Sequence, residues 1–101
     1  MFYEHVRVIA IGKANHQYAE SVQKRLQTCG FRSLCDVGEA PLALRIHEAE
    51  RDGVPFLMFI GDQERVKEGI SLRSSYRKEK NQLMNLEIFM ISTTTKFFPP
   101  R

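Results

Sequence analysis

Phe56-Leu57-Met58-Phe59-Ile60 limits the fold of this chain more than any other stretch. It is an uncharged apolar run, preceded by Val54-Pro55 and followed by Gly61-Asp62-Gln63-Glu64. A strand with one wet face alternates apolar and polar residues. An unbroken run of this length between turn signals needs apolar cover on both faces, so it fits the central strand of an α/β sheet. In open α/β sheets, ligands are met at the carboxyl ends of the strands. The group Asp62, Gln63 and Glu64 therefore marks a candidate working edge.

The rest of the chain has to supply that cover. Val6–Ile11 is rich in β-branched residues, stops at Gly12, and predicts the first strand. Asn15 is placed to cap a helix. Apolar residues then fall at Tyr18, Ala19, Val22, Leu26 and Cys29 until Gly30 ends the pattern, which is helical spacing. Phe31–Val37 alternates imperfectly and predicts a second strand. Pro41 suits a first helical position. Leu42–Asp52 predicts a second helix, with Leu42, Ile46 and Ala49 on its apolar stripe and Arg45, Glu48 and Arg51 elsewhere. Arg65–Gly69 is a charged connection too short for a crossover helix, so Ile70–Ser74 should return antiparallel to the central strand. Leu83, Leu86 and Met90 suggest a third helix over 83–91, with a strand at 87–91 as the alternative. Thr93–Thr95 has poor helix propensity, and a frayed tail is expected over 96–101. The order is β-α-β-α-β-β-α, with right-handed βαβ crossovers expected.

At 101 residues this is one domain, 1–101, with 43% hydrophobic and 27% charged residues and a net charge of +3. That balance is ordinary for a soluble globular protein and compatible with nucleic acid. No stretch approaches the roughly 20 apolar residues of a membrane span, so no membrane partner is expected. Cys29 and Cys35 form no CxxC and have no zinc-type His spacing, which points to reduced thiols in an intracellular protein. The first residues, MFYEHVRV, lack the apolar core of a signal peptide. A cytoplasmic location follows, or a mitochondrial one if a leader has been removed.

Catalytic signatures are missing: there is no GxSxG, no P-loop and no HExxH. Asp62 and Glu64 pair two carboxylates but no nucleophile or metal ligand stands with them, so no cofactor, metal or catalytic site is expected in this chain. The segment 65–80 is more informative. It holds Arg65, Lys67, Arg73, Arg77, Lys78 and Lys80 against Glu68 and Glu79, a local excess above the net charge of the whole chain. Tyr76 lies within it and could stack on a base. Cations grip phosphates without reading sequence, whereas Glu64 and Arg73, side by side on adjacent strands, would read base edges. A solvated charged loop is the bland alternative.

Several pieces occur in a fixed order: VRVIAI, Tyr18-Ala19, Gly30-Phe31, Asp36, Leu44–Glu50 (LRIHEAE), VPFLMFIGDQE and Gly69–Arg73 (GISLR). Together they resemble the anticodon-binding domain of class IIa aminoacyl-tRNA synthetases, of the threonyl type more than the histidyl, glycyl or prolyl types. The matched core is 6–75, and 76–101 would form a C-terminal helix and tail. The resemblance implies a three-layer α/β/α fold with a mixed sheet of four to five strands. It also implies a surface that grips a tRNA anticodon stem-loop, with Glu64 and Arg73 at the positions that contact anticodon bases. Arg65, Lys67, Tyr76, Arg77 and Lys78 join them as candidate RNA-binding residues. The chain departs from the family pattern at Ala10, at Gly38 and at Pro41-Leu42-Ala43, and SSYRKEKNQLMN replaces a Gly-rich segment. Such a domain would work beside a synthetase catalytic domain, which this chain lacks. The alternative is a non-catalytic protein-interaction domain of the same fold, with another protein as partner.

Overall fold

The computed structural model describes residues 4–74 and 82–97, with residues 92–97 described by their backbone alone. The strands are β1 (Val6–Ala10), β2 (Ser33–Asp36), β3 (Phe56–Ile60), β4 (Ile70–Ser74) and β5 (Gln82–Met84). They form one sheet in the order β2-β1-β3-β4-β5. β1 runs parallel to β2 and β3, while β4 is antiparallel to both β3 and β5. The central apolar run and the antiparallel return of Ile70–Ser74 stand as the sequence predicts.

The helices are α1 (His16–Thr28), α2 (Leu42–Arg51), α3 (Asp62–Val66) and α4 (Leu86–Phe97). The strand order explains their placement. The first crossover steps from β1 outward to β2, and the second steps back past β1 to β3. Two crossovers of one hand stepping in opposite directions cover opposite faces of a sheet. The packing follows. Val6, Val8 and Ala10 of β1, with Met58 and Ile60 of β3, meet Ala19, Val22 and Leu26 of α1. Leu86 and Phe89 of α4 complete that layer. On the other face Ile9, Leu57 and Phe59 pack against Ala49 of α2, with Val54 beside them and Ile46 against the cluster. This is a three-layer α/β/α arrangement, and it is why β3 can be apolar at every position.

Three expectations are corrected. The charged connection after β3 begins with a helical turn, α3, which the sequence reading did not place. Gly61 stands at its N-cap, and Glu64, at its third position, reaches back to the Gly61 amide at 2.7 Å. That one-way contact, half of a capping box since Gly61 has no side chain to return it, starts a helix at GDQE. Second, residues 82–84 form an edge strand, so the last helix starts at Leu86, where Asn85 Oδ1 accepts the Glu87 amide at 2.7 Å. The helix then carries its backbone through Thr93–Thr95 to Phe97, against the propensity of three threonines, a weak prior beside tertiary context. Third, Arg45 is buried at 5% exposure rather than lying off the apolar stripe, whereas Leu42 is exposed.

Candidate nucleic-acid interface

β1, β2 and β3 end together, and their carboxyl ends deliver three polar clusters. After β1 the chain turns through Gly12, whose φ of 89° is a conformation that favours glycine. A single 3-10 turn, Lys13–Asn15, then leads into α1. Asn15 makes no side-chain cap on that helix, contrary to the sequence reading. Its side chain is buried between loops. Nδ2 donates to the Ile11 carbonyl at 2.7 Å and to Asp62 Oδ1 at 2.9 Å, and Oδ1 accepts from Arg65 Nε at 2.7 Å.

The second cluster ties β2 to α2. Arg45 donates to the Ala10 carbonyl at 2.7 Å, to the Asp36 carbonyl at 2.8 Å and to Asp36 Oδ2 at 3.1 Å. Asp36 Oδ1 accepts the Gly38 amide at 2.9 Å. Burial pushes the Asp36 carboxyl up, but the guanidinium and the amide outweigh it and hold the group below its usual value. A cleft of about 290 Å³ opens beside this cluster, lined by Gly12, Lys13, His16, Gly38, Leu42 and Arg45 among others. The departures Gly38 and Leu42 line that cleft, and Ala10 gives its carbonyl to the arginine beside them.

The third cluster holds Glu64. Its carboxylate accepts the Gly61 amide through Oε1 at 2.7 Å and the Ser71 hydroxyl through Oε2 at 3.0 Å. A Cβ at Gly61 would stand 3.0 Å from that Oε1, so a larger residue there would push the carboxylate back by a few tenths of an ångström. Tyr18 clamps the next turn by donating to the Gly69 carbonyl at 3.0 Å.

Glu64 therefore stands in α3, nine-tenths buried, and not on a strand beside Arg73. Arg73 lies on β4, half-buried, opposite Leu57 in register. Ser71 and Arg73 are two residues apart on one strand and so share a face, about 7 Å apart along it. That is the sheet face covered by α2 further along. Ser71 thus links the two: it holds Glu64 and stands one pleat repeat from Arg73. Arg65 and Lys67 are exposed on and just after α3. Tyr76, Arg77 and Lys78 lie outside the described residues. Sequence reasoning missed Asn15, Arg45 and Ser71 as organisers of this edge. The signals were slight: an Asn just beyond a strand-ending glycine, and an arginine on the polar side of a predicted helix. Among the described residues no His, Cys, Asp and Glu group could hold a metal, and no helix is long and apolar enough to cross a membrane.

A family model described as "Anticodon binding domain" matches residues 5–90. The chain belongs to the anticodon-binding domain family. Its sequence relatives include threonine–tRNA ligases. A threonine–tRNA ligase from Geobacillus sp. (strain WCH70) is 31% identical over 86 residues, covering 84% of this chain and 13% of that protein. One from Ralstonia nicotianae is 35% identical over 71 residues, covering 70% of this chain and 11% of its own length. The anticodon-binding domain described here thus spans a small part of the relatives it matches. The crystal structure of the RNA-binding domain of threonyl-tRNA synthetase from Cryptosporidium parvum Iowa II superposes with a TM-score of 0.86 at 22% identity, covering 91% of this chain and 23% of that one. Apo S. aureus histidyl-tRNA synthetase gives 0.71 at 18% identity, with 96% of this chain and 23% of that chain covered. Both likenesses speak for the fold.

Proposed function

We propose that this chain binds tRNA by its anticodon stem-loop, as the C-terminal domain of a threonyl-tRNA synthetase or as a free-standing relative of it, in the cytoplasm. The family match over residues 5–90 carries the reading. The chemistry of the edge supports it. A carboxylate offers about four acceptor positions, so Glu64 can stay bound to Gly61 and Ser71 and still accept from a base amino group. Arg73 donates in a fixed fork from the neighbouring strand face. Arg65 and Lys67 supply exposed cations for phosphates. Tyr76, Arg77 and Lys78, which follow β4 in the sequence, are proposed RNA contacts as well. Amino-acid activation falls to a synthetase catalytic domain outside this chain, joined to it or separate.

The test is a salt titration of binding to total tRNA, with duplex DNA of equal charge beside it and Arg73→Glu as the variant. Tighter binding to tRNA than to DNA is expected, with a loss in R73E of about 1–3 kcal/mol. Lys24→Glu on α1 should cost far less. Equal losses in the two variants overturn the role of Arg73. Equal binding to both nucleic acids, fading by about 0.2 M salt, reduces the edge to a basic surface. A chain that ignores RNA but pairs with another protein overturns the reading in favour of an interaction domain.

A further inference from the structure

In the strand order β2-β1-β3 the crossovers reverse direction between β1 and β3. In open α/β sheets that reversal opens a crevice at the carboxyl ends, where ligands are met. Asn15 lies there at 1% exposure, between the loop after β1 and the start of α3. Both its donors and one lone pair of its oxygen serve the protein: the donors go to the Ile11 carbonyl and Asp62, and the oxygen takes Arg65 Nε at 2.7 Å. The amide orientation is dictated by these partners, since a flipped amide would set its oxygen against a carbonyl and a carboxylate. The contact with Nε fixes one edge of the Arg65 guanidinium. Asp62 pairs with Nη2 on that same edge at 3.8 Å, a solvent-exposed ion pair beyond hydrogen-bond range that a phosphate can displace. Among the described residues neither terminal amino group of Arg65 donates a hydrogen bond. The Arg65 side chain is 43% exposed.

We propose that Asn15 is a positioning residue for RNA: it grips Arg65 by Nε and leaves the two-nitrogen end of the guanidinium open to a backbone phosphate of the bound RNA. The proposal rests on the RNA-binding reading above. A phosphate is the matching ligand because it needs a cationic fork and nothing enclosing. A guanidinium this exposed, on a solvent-facing turn with Lys67 close behind it in sequence, offers that and no base pocket.

The experiment measures binding of the full chain to a labelled anticodon stem-loop RNA and to a second stem-loop with a different loop sequence. The variants are Arg65→Gln, Arg65→Lys, Asn15→Ala and the double variant N15A/R65Q, with Lys24→Gln as control. R65Q should weaken binding about tenfold on both RNAs and lower the salt slope by about one. R65K should restore the slope but not the affinity, because an ammonium has no fork to be gripped. N15A should weaken binding in the wild-type background and have no effect in the R65Q background. That last result separates positioning from a merely structural role, which would cost the same in both backgrounds and so overturns the proposal. R65K binding as wild type overturns it too, as does an R65Q loss confined to one RNA. If N15A does not fold, the comparison of R65K with R65Q decides alone. A wild-type chain that binds neither RNA overturns the anticodon reading itself, and this proposal with it.

Discussion

At Glu64 the fold and the proposed RNA contact draw on the same two oxygens. One oxygen closes the α3 N-terminus on Gly61 and the other holds Ser71 of β4. Glu64→Ala leaves a backbone amide and a hydroxyl without their acceptor and should cost about 1–3 kcal/mol in urea unfolding, beyond any loss of RNA binding. Glu64→Gln keeps an acceptor and should cost less than half as much. Equal stability of all three proteins would show that the carboxylate is free for RNA. Cys35 offers a second check on the same scale. Burial, then Glu20 and Asp36, push its thiol up to about 11, while Cys29 is exposed. At pH 8, iodoacetamide should label Cys29 and leave Cys35 almost untouched, as mapped by peptide mass, because the thiolate is the reactive form. Rapid labelling at both would contradict the packing of β2 on α1.

The elements are joined more firmly by one arginine than the helical pattern suggests. Arg45 binds two strand-end carbonyls and a carboxylate from the buried side of α2. Arg45→Ala should cost about 3–5 kcal/mol, since it strands a paired charge. The acid limb follows from the lowered Asp36 value. A carboxyl whose native pKa is depressed stabilises the fold fully above its unfolded value, about 3.9, and the contribution is lost as pH falls through the native value. Wild type should therefore exceed Asp36→Asn in stability at pH 7, and the gap should close as the pH drops below about 4. A gap constant from pH 7 to 3 would mean that the ion pair contributes nothing. How legible each element was depends on what encodes it. β3, α1 and the antiparallel β4 were readable because apolar periodicity is a local signal and their flanking glycines and prolines are local too. α3, β5 and the start of α4 were not. Their signals, Glu64 on the Gly61 amide and Asn85 on the Glu87 amide, are single hydrogen bonds within short stretches. β5 is held by its ladder to β4 rather than by its own pattern.

Among the described residues one sheet carries two unequal covers: the core of one face packs against α2, and that of the other against α1 and α4. Phe89→Ala should therefore cost about 3–5 kcal/mol by opening a cavity among Phe31 and Phe56. Ile91→Ala, on the exposed side of the same helix, should change stability by less than about 0.5 kcal/mol. Similar losses would mean that α4 packs by another face. The candidate interface was legible in part at this scale. The acidic and basic residues around Glu64 and Arg73 could be named from sequence, but their relation could not. It depends on Ser71 and on a strand register that only long-range pairing sets. Asn15 was visible merely as a helix cap, because its true partners, Asp62 and Arg65, arrive from a strand-helix junction far along the chain.

Phe31 belongs to the first third of the chain and Phe89 to its last segment, yet their rings lie 5.8 Å apart. During synthesis the β1-α1-β2 unit and the β3 strand are made before the α4 part of their cover. Until translation has passed Phe89, Phe31 and Phe56 face water on a nascent chain. That interval gives a chaperone an aromatic patch to hold, and it makes an early stop in translation before residue 89 a source of sticky fragments rather than of a smaller working domain.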